Sequence, residues 1–347
     1  MKRLLTLVSS ILLGVLLFSA CKDMGGGKLQ SVSGTTNELL VVMPKNLWDG
    51  AMGDTVRQFF GQEMTGLPQK EPIFDMINLP FSNFEKNARA HRSILIVSIK
   101  NDADSASLSY YDSPWARSQK IFKITAPDAE AFYRIFDANK IKMMGVYLKA
   151  ERDRLIDVYK KTADSKIFQK FKDEYDMLIY FPGGYVVNKD TNNFVWISSE
   201  TRRNSRGVIF FEEPYVSQSQ FDYHVILDRV NEENKLNYEE LKEYIPGPLD
   251  STWMALDMNI PMTAAQYEYD GKHYAMLIKG LWTVENDFMA GPFVLNVVLD
   301  QKSNRVIYMM GYVYAPDEEK RNKLRQVESI IFSMKLDYQE NEKIDNQ

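Results

Sequence analysis

The chain has 347 residues, enough for one large or two ordinary cores, and its hydrophobic (45%) and charged (26%) fractions are those of a globular body. A net charge of −5 argues against a nucleic-acid partner, which would meet a basic surface. Cys21 is the one cysteine, which excludes an intramolecular disulfide and a thiolate metal cluster within the chain.

Lys2 and Arg3 precede an apolar run from Leu4 to Phe18, followed by the small residues Ser19 and Ala20. That run is shorter than the roughly 18 to 20 apolar residues that cross a bilayer, and it has the layout of a secretory signal. Phe18-Ser19-Ala20-Cys21 resembles the lipobox of bacterial lipoproteins. Residues 1–20 therefore read as a signal peptide, with cleavage before Cys21 and lipid on its sulfur as the membrane anchor. Residues 21–37, which include Gly25-Gly26-Gly27, read as a flexible tether. No strand precedes those glycines and no Gly-Lys-Ser/Thr ending follows, so they are not a phosphate loop.

Residues 38–175 read as an α+β unit. The β-branched content of 38–43 predicts a buried strand, and 49–60 predicts a helix with Met52, Val56, Phe59 and Phe60 on one side. Strands follow at 73–79, 93–99 and 121–125. Ala126-Pro127-Asp128 closes the last, and Asp128 is placed to cap a helix carrying Phe132, Ile135 and Phe136. From Ile141 to about Tyr175 the spacing predicts a helical layer, with Glu151, Arg152, Asp153 and Arg154 on solvated faces.

Residues 176–338 read as mainly antiparallel β with a C-terminal helix, and 339–347 as a disordered tail. Strands are expected at 177–181, 184–187, 194–199 and 207–212, separated by turn-rich stretches, with a helix over 221–230. Pro246-Gly247-Pro248 marks a break. Strands at 262–269, 272–279, 293–299 and 305–314 follow, with Asp270-Gly271 as a hairpin turn. Tyr308, Met310, Tyr312 and Tyr314 alternate with Ile307, Met309 and Val313, so both faces of that strand are expected to be covered. A helix opened by Asp317 then carries Leu324, Val327, Ile331 and Met334. The fold class is α+β, antiparallel sheets with packed helices. The shared Ala-Pro-Asp at 126–128 and 315–317 raises the alternative of two related α+β units.

No catalytic set assembles in the sequence. His224, Asp228 and Glu232 share a helix face, but no second histidine pair completes a metal site, so no metal and no cofactor is assigned. Ser33, Ser199, Ser205 and Ser251 lack a nucleophile-elbow setting. Glu212 and Glu213 point to opposite faces of one strand, the wrong geometry for a glycosidic pair. The candidate ligand-binding residues are three groups. Arg202, Arg203 and Arg206 form a basic cluster in a hairpin turn, suited to a carboxylate, phosphate or polar glycan group. Trp282 lies before a Gly-Pro loop, where an aromatic face could stack on a sugar or peptide. His91 and Arg92 open a strand and offer an anion-binding or proton-shuttling pair.

Gly280-Leu281-Trp282, Met289-Ala290-Gly291-Pro292-Phe293, Tyr312-Val313-Tyr314-Ala315-Pro316 and Lys320-Arg321 resemble motifs of a Bacteroidetes lipoprotein family known only as a domain of unknown function (DUF4837). Leu67-Pro68-Gln69-Lys70-Glu71-Pro72 and His91-Arg92 are similar to that family as well. The resemblance implies a cell-envelope location and carries no catalytic residue. Surface-exported lipoproteins of Bacteroidetes show an acidic cluster just after the cysteine, and this chain offers Asp23 alone. The expectation is an outer-membrane protein facing the periplasm, with the cell surface as the alternative. Its expected work is non-enzymatic binding or structure, with an envelope protein or glycan as partner. The alternatives are a periplasmic enzyme or accessory factor acting on cell-wall or polysaccharide material, and a small-molecule carrier with a cavity between sheet and helical layer.

Overall fold

The computed structural model describes residues 29–191, 193–236, 253–285 and 287–338. The expected signal peptide, Cys21, most of the tether, the Pro246–Pro248 break and the 339–347 tail lie outside the described residues.

Strands β1 (Glu38–Val42), β2 (Asp75–Leu79), β3 (Ser93–Ile99), β4 (Ser107–Asp112) and β5 (Lys120–Ala126) form a sheet in the order β2-β1-β3-β5-β4. β1 runs parallel to β2 and β3, and β3 parallel to β5. Edge strand β4 alone is antiparallel. The class is α+β as expected, but this sheet is mostly parallel where antiparallel pairing was expected. The reason lies in the connections: helix α1 (Ala51–Phe60) separates β1 from β2, and a crossover of that length returns the chain in the same direction. β4 was not anticipated, because Ser-Leu-Ser-Tyr-Tyr-Asp carries no buried apolar run and forms a largely exposed edge.

Helix α2 (Ala129–Thr162) covers one face of this sheet together with α1. Phe60, Phe132, Phe136, Met143 and Tyr147 fill the layer between them and the strands, so the interior expected to hold a carrier cavity is packed side chain. Leu40, Val42, Ile94, Ile96 and Ile121 point to the opposite face. The sequence suggested separate helices at 129–136 and from Ile141, whereas α2 is one element of 34 residues. Nothing in Asp137-Ala138-Asn139-Lys140 breaks a helix. Asp128 caps it as expected, accepting the Ala131 amide at 2.8 Å. Glu151 and Arg154, expected on a solvated face, are instead turned inward. Glu151 is 2% exposed and accepts from both Arg92 and Arg154.

Helix α3 (Ser165–Tyr175) leads into the second sheet. β6 (Val186–Thr191), β7 (Phe194–Glu200), β8 (Ser205–Pro214), β9 (Met254–Leu256), β10 (Thr263–Tyr269), β11 (His273–Val284), β12 (Ala290–Asp300) and β13 (Arg305–Tyr314) pair antiparallel in the order β10-β11-β12-β13-β8-β7-β6, with β9 also on β11. Asp270 and Gly271, at φ 49 and 75, make the hairpin turn their sequence demands. β13 is covered on both faces. Ile307, Met309 and Val313 pack with α3 and with α5 (Arg321–Ile331), while Tyr308, Met310 and Tyr312 pack with α4 (Tyr223–Leu236).

Two expected elements differ. Met177–Phe181 is buried but joins no sheet, because Leu178 exchanges backbone hydrogen bonds with Lys335 beyond α5. The last helix starts at Arg321 rather than at Asp317. Its first amides, of Lys320 and Arg321, donate to the Glu71 carboxylate at 2.7 and 2.8 Å. The Arg321 guanidinium also holds Asp75 at 2.6 Å and the Pro72 carbonyl at 2.7 Å, and Asn37 donates to Asn322 at 2.9 Å. These contacts tie the first sheet to the second. Asp128 caps its helix and Asp317 is exposed, so the two Ala-Pro-Asp turns act differently, and the two sheets do not share a topology.

Candidate functional site

The second sheet brings Trp282 and the arginine turn to one cleft. β11 carries Trp282 and β13 carries Tyr312 and Tyr314, while β7 and β8 are joined by the Thr201–Asn204 turn. Glycines opposite the aromatic rings make room for them. Gly291 faces Trp282 across the strand pair, and a Cβ there would lie 2.0 Å from the Val313 carbonyl and 3.0 Å from Trp282 Nε1. Gly207 faces Tyr312, whose ring would sit 2.4 Å from an added Cβ. The rings are fixed further by hydrogen bonds. Trp282 Nε1 donates to the Val313 carbonyl at 3.3 Å, and Trp196 Nε1 donates to the Tyr312 hydroxyl at 2.8 Å. Burial raises the Tyr312 phenol above its ordinary pKa, so it remains a neutral hydroxyl.

The result is a cleft of about 360 Å³. Trp196, Trp282, Tyr312, Tyr314, Met254 and Met289 form its aromatic and thioether surface. The rim holds Glu200 through Ser205, with Asp317 also lining the cleft. The Thr201 hydroxyl accepts the amides of Arg203 and Asn204 at 3.3 and 3.1 Å and donates to the Asn204 carbonyl at 3.0 Å. This closes the turn and leaves Arg202 and Arg203 exposed at its tip. Neither guanidinium is ion-paired among the described residues, so both can accept an anionic ligand group.

The other candidates go elsewhere. Trp282 is 1% exposed, so the ring available for stacking is the half-buried Tyr314, with Trp282 packed 6.3 Å from it. Arg206 bonds Gln326 on α5, on the opposite face of the sheet from Ser205, and does not line the cleft. His91 is buried between the Ser93 carbonyl and Glu38, each 3.0 Å away, with Gly34 against its ring. Arg92 is spent on Glu151 at 2.7 Å. His91 and Arg92 therefore join β3 to the expected tether and to α2 and offer no open anion site. His224 and Asp228 are exposed on α4, and among the described residues no three metal-ligating groups converge. Glu212 bonds Arg305 while Glu213 bonds Arg229 and Tyr308, on opposite faces as expected. The sequence reading did not include Trp196, Met254, Met289, Glu200 or Asp317 in the site. The available signal was the pairing of Gly207 and Gly291 with aromatic residues, which becomes visible only with strand register.

No curated protein matches the chain. Among solved structures it is similar to the Ran-binding protein Mog1p of Saccharomyces cerevisiae, at 9% identity over 46% of this chain and 89% of that one, with a TM-score of 0.27. A mutant of protein Mog1 is similar at 9% identity, over 46% and 90% of the two chains, with a TM-score of 0.25. At those scores the likeness carries no argument. Residues 32–160 match a domain of unknown function (DUF8532), which takes in Leu67–Pro72 and His91-Arg92. The Gly280, Met289 and Tyr312 motifs fall in the other match, in which residues 164–333 match the family described as a domain of unknown function (DUF4837).

Proposed function

We propose that the protein is a lipid-anchored envelope protein whose body binds an envelope component, the ligand being an acidic glycan held in the cleft beside Tyr314. The observation that carries this reading is the meeting, in one cleft of about 360 Å³, of the half-buried Tyr314 ring and two arginines that make no ion pair among the described residues. A sugar ring stacks on a flat aromatic face, and an arginine fork takes a uronate carboxylate in two parallel hydrogen bonds. The anchor rests on the lipobox-like Phe18–Cys21, with the outer membrane as its location and the periplasm as the side faced. Oligogalacturonate is expected to bind the purified protein, with Arg202→Ala/Arg203→Ala weakening it about tenfold, as measured by calorimetry. Equal affinity in the double variant would sink the glycan reading. For the anchor, Cys21→Ser should release the body from the membrane fraction or leave an uncleaved precursor. Unchanged lipid labelling would overturn it.

A second reading, polysaccharide hydrolysis, is favoured by one feature: Glu200 and Asp317 line the same cleft. Two carboxyl groups flanking a glycosidic bond are what such chemistry needs. New reducing ends from a polysaccharide, lost in both Glu200→Gln and Asp317→Asn, would replace the binding reading with this one.

A further inference from the structure

The first sheet has an open side far in chemistry from the Tyr314 cleft. The face opposite α1 and α2 is covered only in part, by the short helical turns Phe81–Asn83 and Lys86–Arg89 and by the Pro114-Trp115 loop. Between these and the strands lies a groove of about 650 Å³, within the range that encloses a small organic ligand. Ile96 and Ser98 of β3, Ile121 of β5 and Tyr111 of β4 line its sheet side, and Phe81, Phe84 and Trp115 its other side. Phe84 and Trp115 meet edge to face at 5.7 Å, and Trp115 is pinned through its amide, which donates to the buried Gln119 side chain at 3.2 Å. Gln119 in turn donates to the Arg89 and His91 carbonyls. The groove is therefore preformed and apolar.

Its charges are all of one sign. Arg89, Lys100 and Lys123 line it and no carboxylate does, in a protein whose net charge is −5. Among the described residues none of the three makes an ion pair. Arg89 lies over the rings of Phe84 and Trp115, 5.8 and 5.6 Å from their centroids, which holds its guanidinium at the groove wall. Elsewhere on this sheet lysine is neutralised: Lys120, next to Ile121, pairs with Asp112 at 2.6 Å. Three cations with no carboxylate partner among the described residues, around an apolar trough, are complementary to one kind of molecule, an apolar body ending in an acidic group.

We propose that this groove is a binding site for a free amphipathic organic anion of the fatty-acid class. The hydrocarbon lies along the exposed rings of Phe81, Tyr111 and Trp115, over a floor that Ile96 and Ile121 close, and the carboxylate is held by Lys100 and Lys123 with Arg89 at the wall. This site is independent of the glycan cleft and stands or falls without it.

The test uses the purified protein with 8-anilinonaphthalene-1-sulfonate as fluorescent probe and laurate as competitor. Laurate is expected to displace the probe, and dodecanol, with the same chain and no charge, to do so about tenfold less well. Lys100→Ala/Lys123→Ala should remove that preference for laurate while dodecanol is unaffected, and the exposed-site control Lys142→Ala should change neither. Ser98→Trp, which fills the groove, should abolish probe binding while the circular dichroism spectrum is kept. Should Ser98→Trp fail to fold, the lysine pair still decides the matter. Equal displacement by laurate and dodecanol in the unaltered protein would overturn the proposal, as would an unchanged laurate preference in the lysine variant. Binding to phosphatidylglycerol vesicles without any displacement by laurate would also overturn it, and would identify the face as a membrane contact instead.

Discussion

At the scale of single residues, Gly207 shows how a site is built by what is missing. Its neighbour across the strand pair is Tyr312, whose ring occupies the space a Cβ would need. Gly207→Ala is therefore expected to cost about 1–3 kcal/mol through overpacking and to displace the Tyr312 ring, measured by urea denaturation and near-ultraviolet dichroism. The opposite lesson comes from His91 and Arg92. Both residue types suit a functional site, and the sequence alone could not say whether a carboxylate waited nearby. Glu38 and Glu151 occupy them, one from 53 and the other from 59 residues away. Long-range partners of that kind leave no trace in local pattern. Arg202 and Arg203 kept their candidacy because their turn is closed by its own backbone and Thr201, and among the described residues neither makes an ion pair.

At the scale of elements, β13 was legible to the residue, since strict alternation of two apolar stripes has one solution in a sheet covered on both faces. The first sheet was legible in four of its five strands, β4 being the exception, but not in their direction. Apolar runs such as Leu39–Val42 suit parallel and antiparallel pairing alike, and the connection decides between them. The start of α5 was misread because its cap is remote. Aspartate at 317 had the right type, but Glu71 supplies the carboxylate from the other sheet's unit. Glu71→Ala should therefore uncap α5 at a cost of about 1–2 kcal/mol, and the loss should be seen as faster amide exchange in the first turn of that helix. A cap supplied locally would leave that exchange unchanged.

At the scale of the whole molecule, α5 is the bracket between the two sheets. Its start is held by Glu71 and Asp75, and its middle by Glu328, which accepts from Lys279 of β11 at 2.6 Å and from Arg325 at 2.7 Å. Burial alone would raise the Glu328 carboxyl. The Lys279 ammonium and Arg325 guanidinium beside it more than offset that and hold it well below the ordinary range. A carboxyl depressed on folding contributes stability that is fully present above its unfolded pKa of about 4.3 and is lost as pH falls toward the folded value. Denaturation midpoints should thus fall as pH is lowered from 6 to 3, and Glu328→Gln should flatten that dependence while costing about 3 kcal/mol at neutral pH, because two half-buried cations lose their partner. By itself the sequence determined the α+β class, most strand positions, the capped start of α2 and the residues of an arginine turn, because alternation, helical spacing and turn chemistry act over a few neighbouring residues. Tertiary structure alone decided the direction of the first sheet, the fate of His91 and Arg92, and the meeting of the Arg202–Arg203 turn with Trp282 and Tyr314. Each of those depends on register and on charges brought together from distant parts of the chain, which no local pattern encodes.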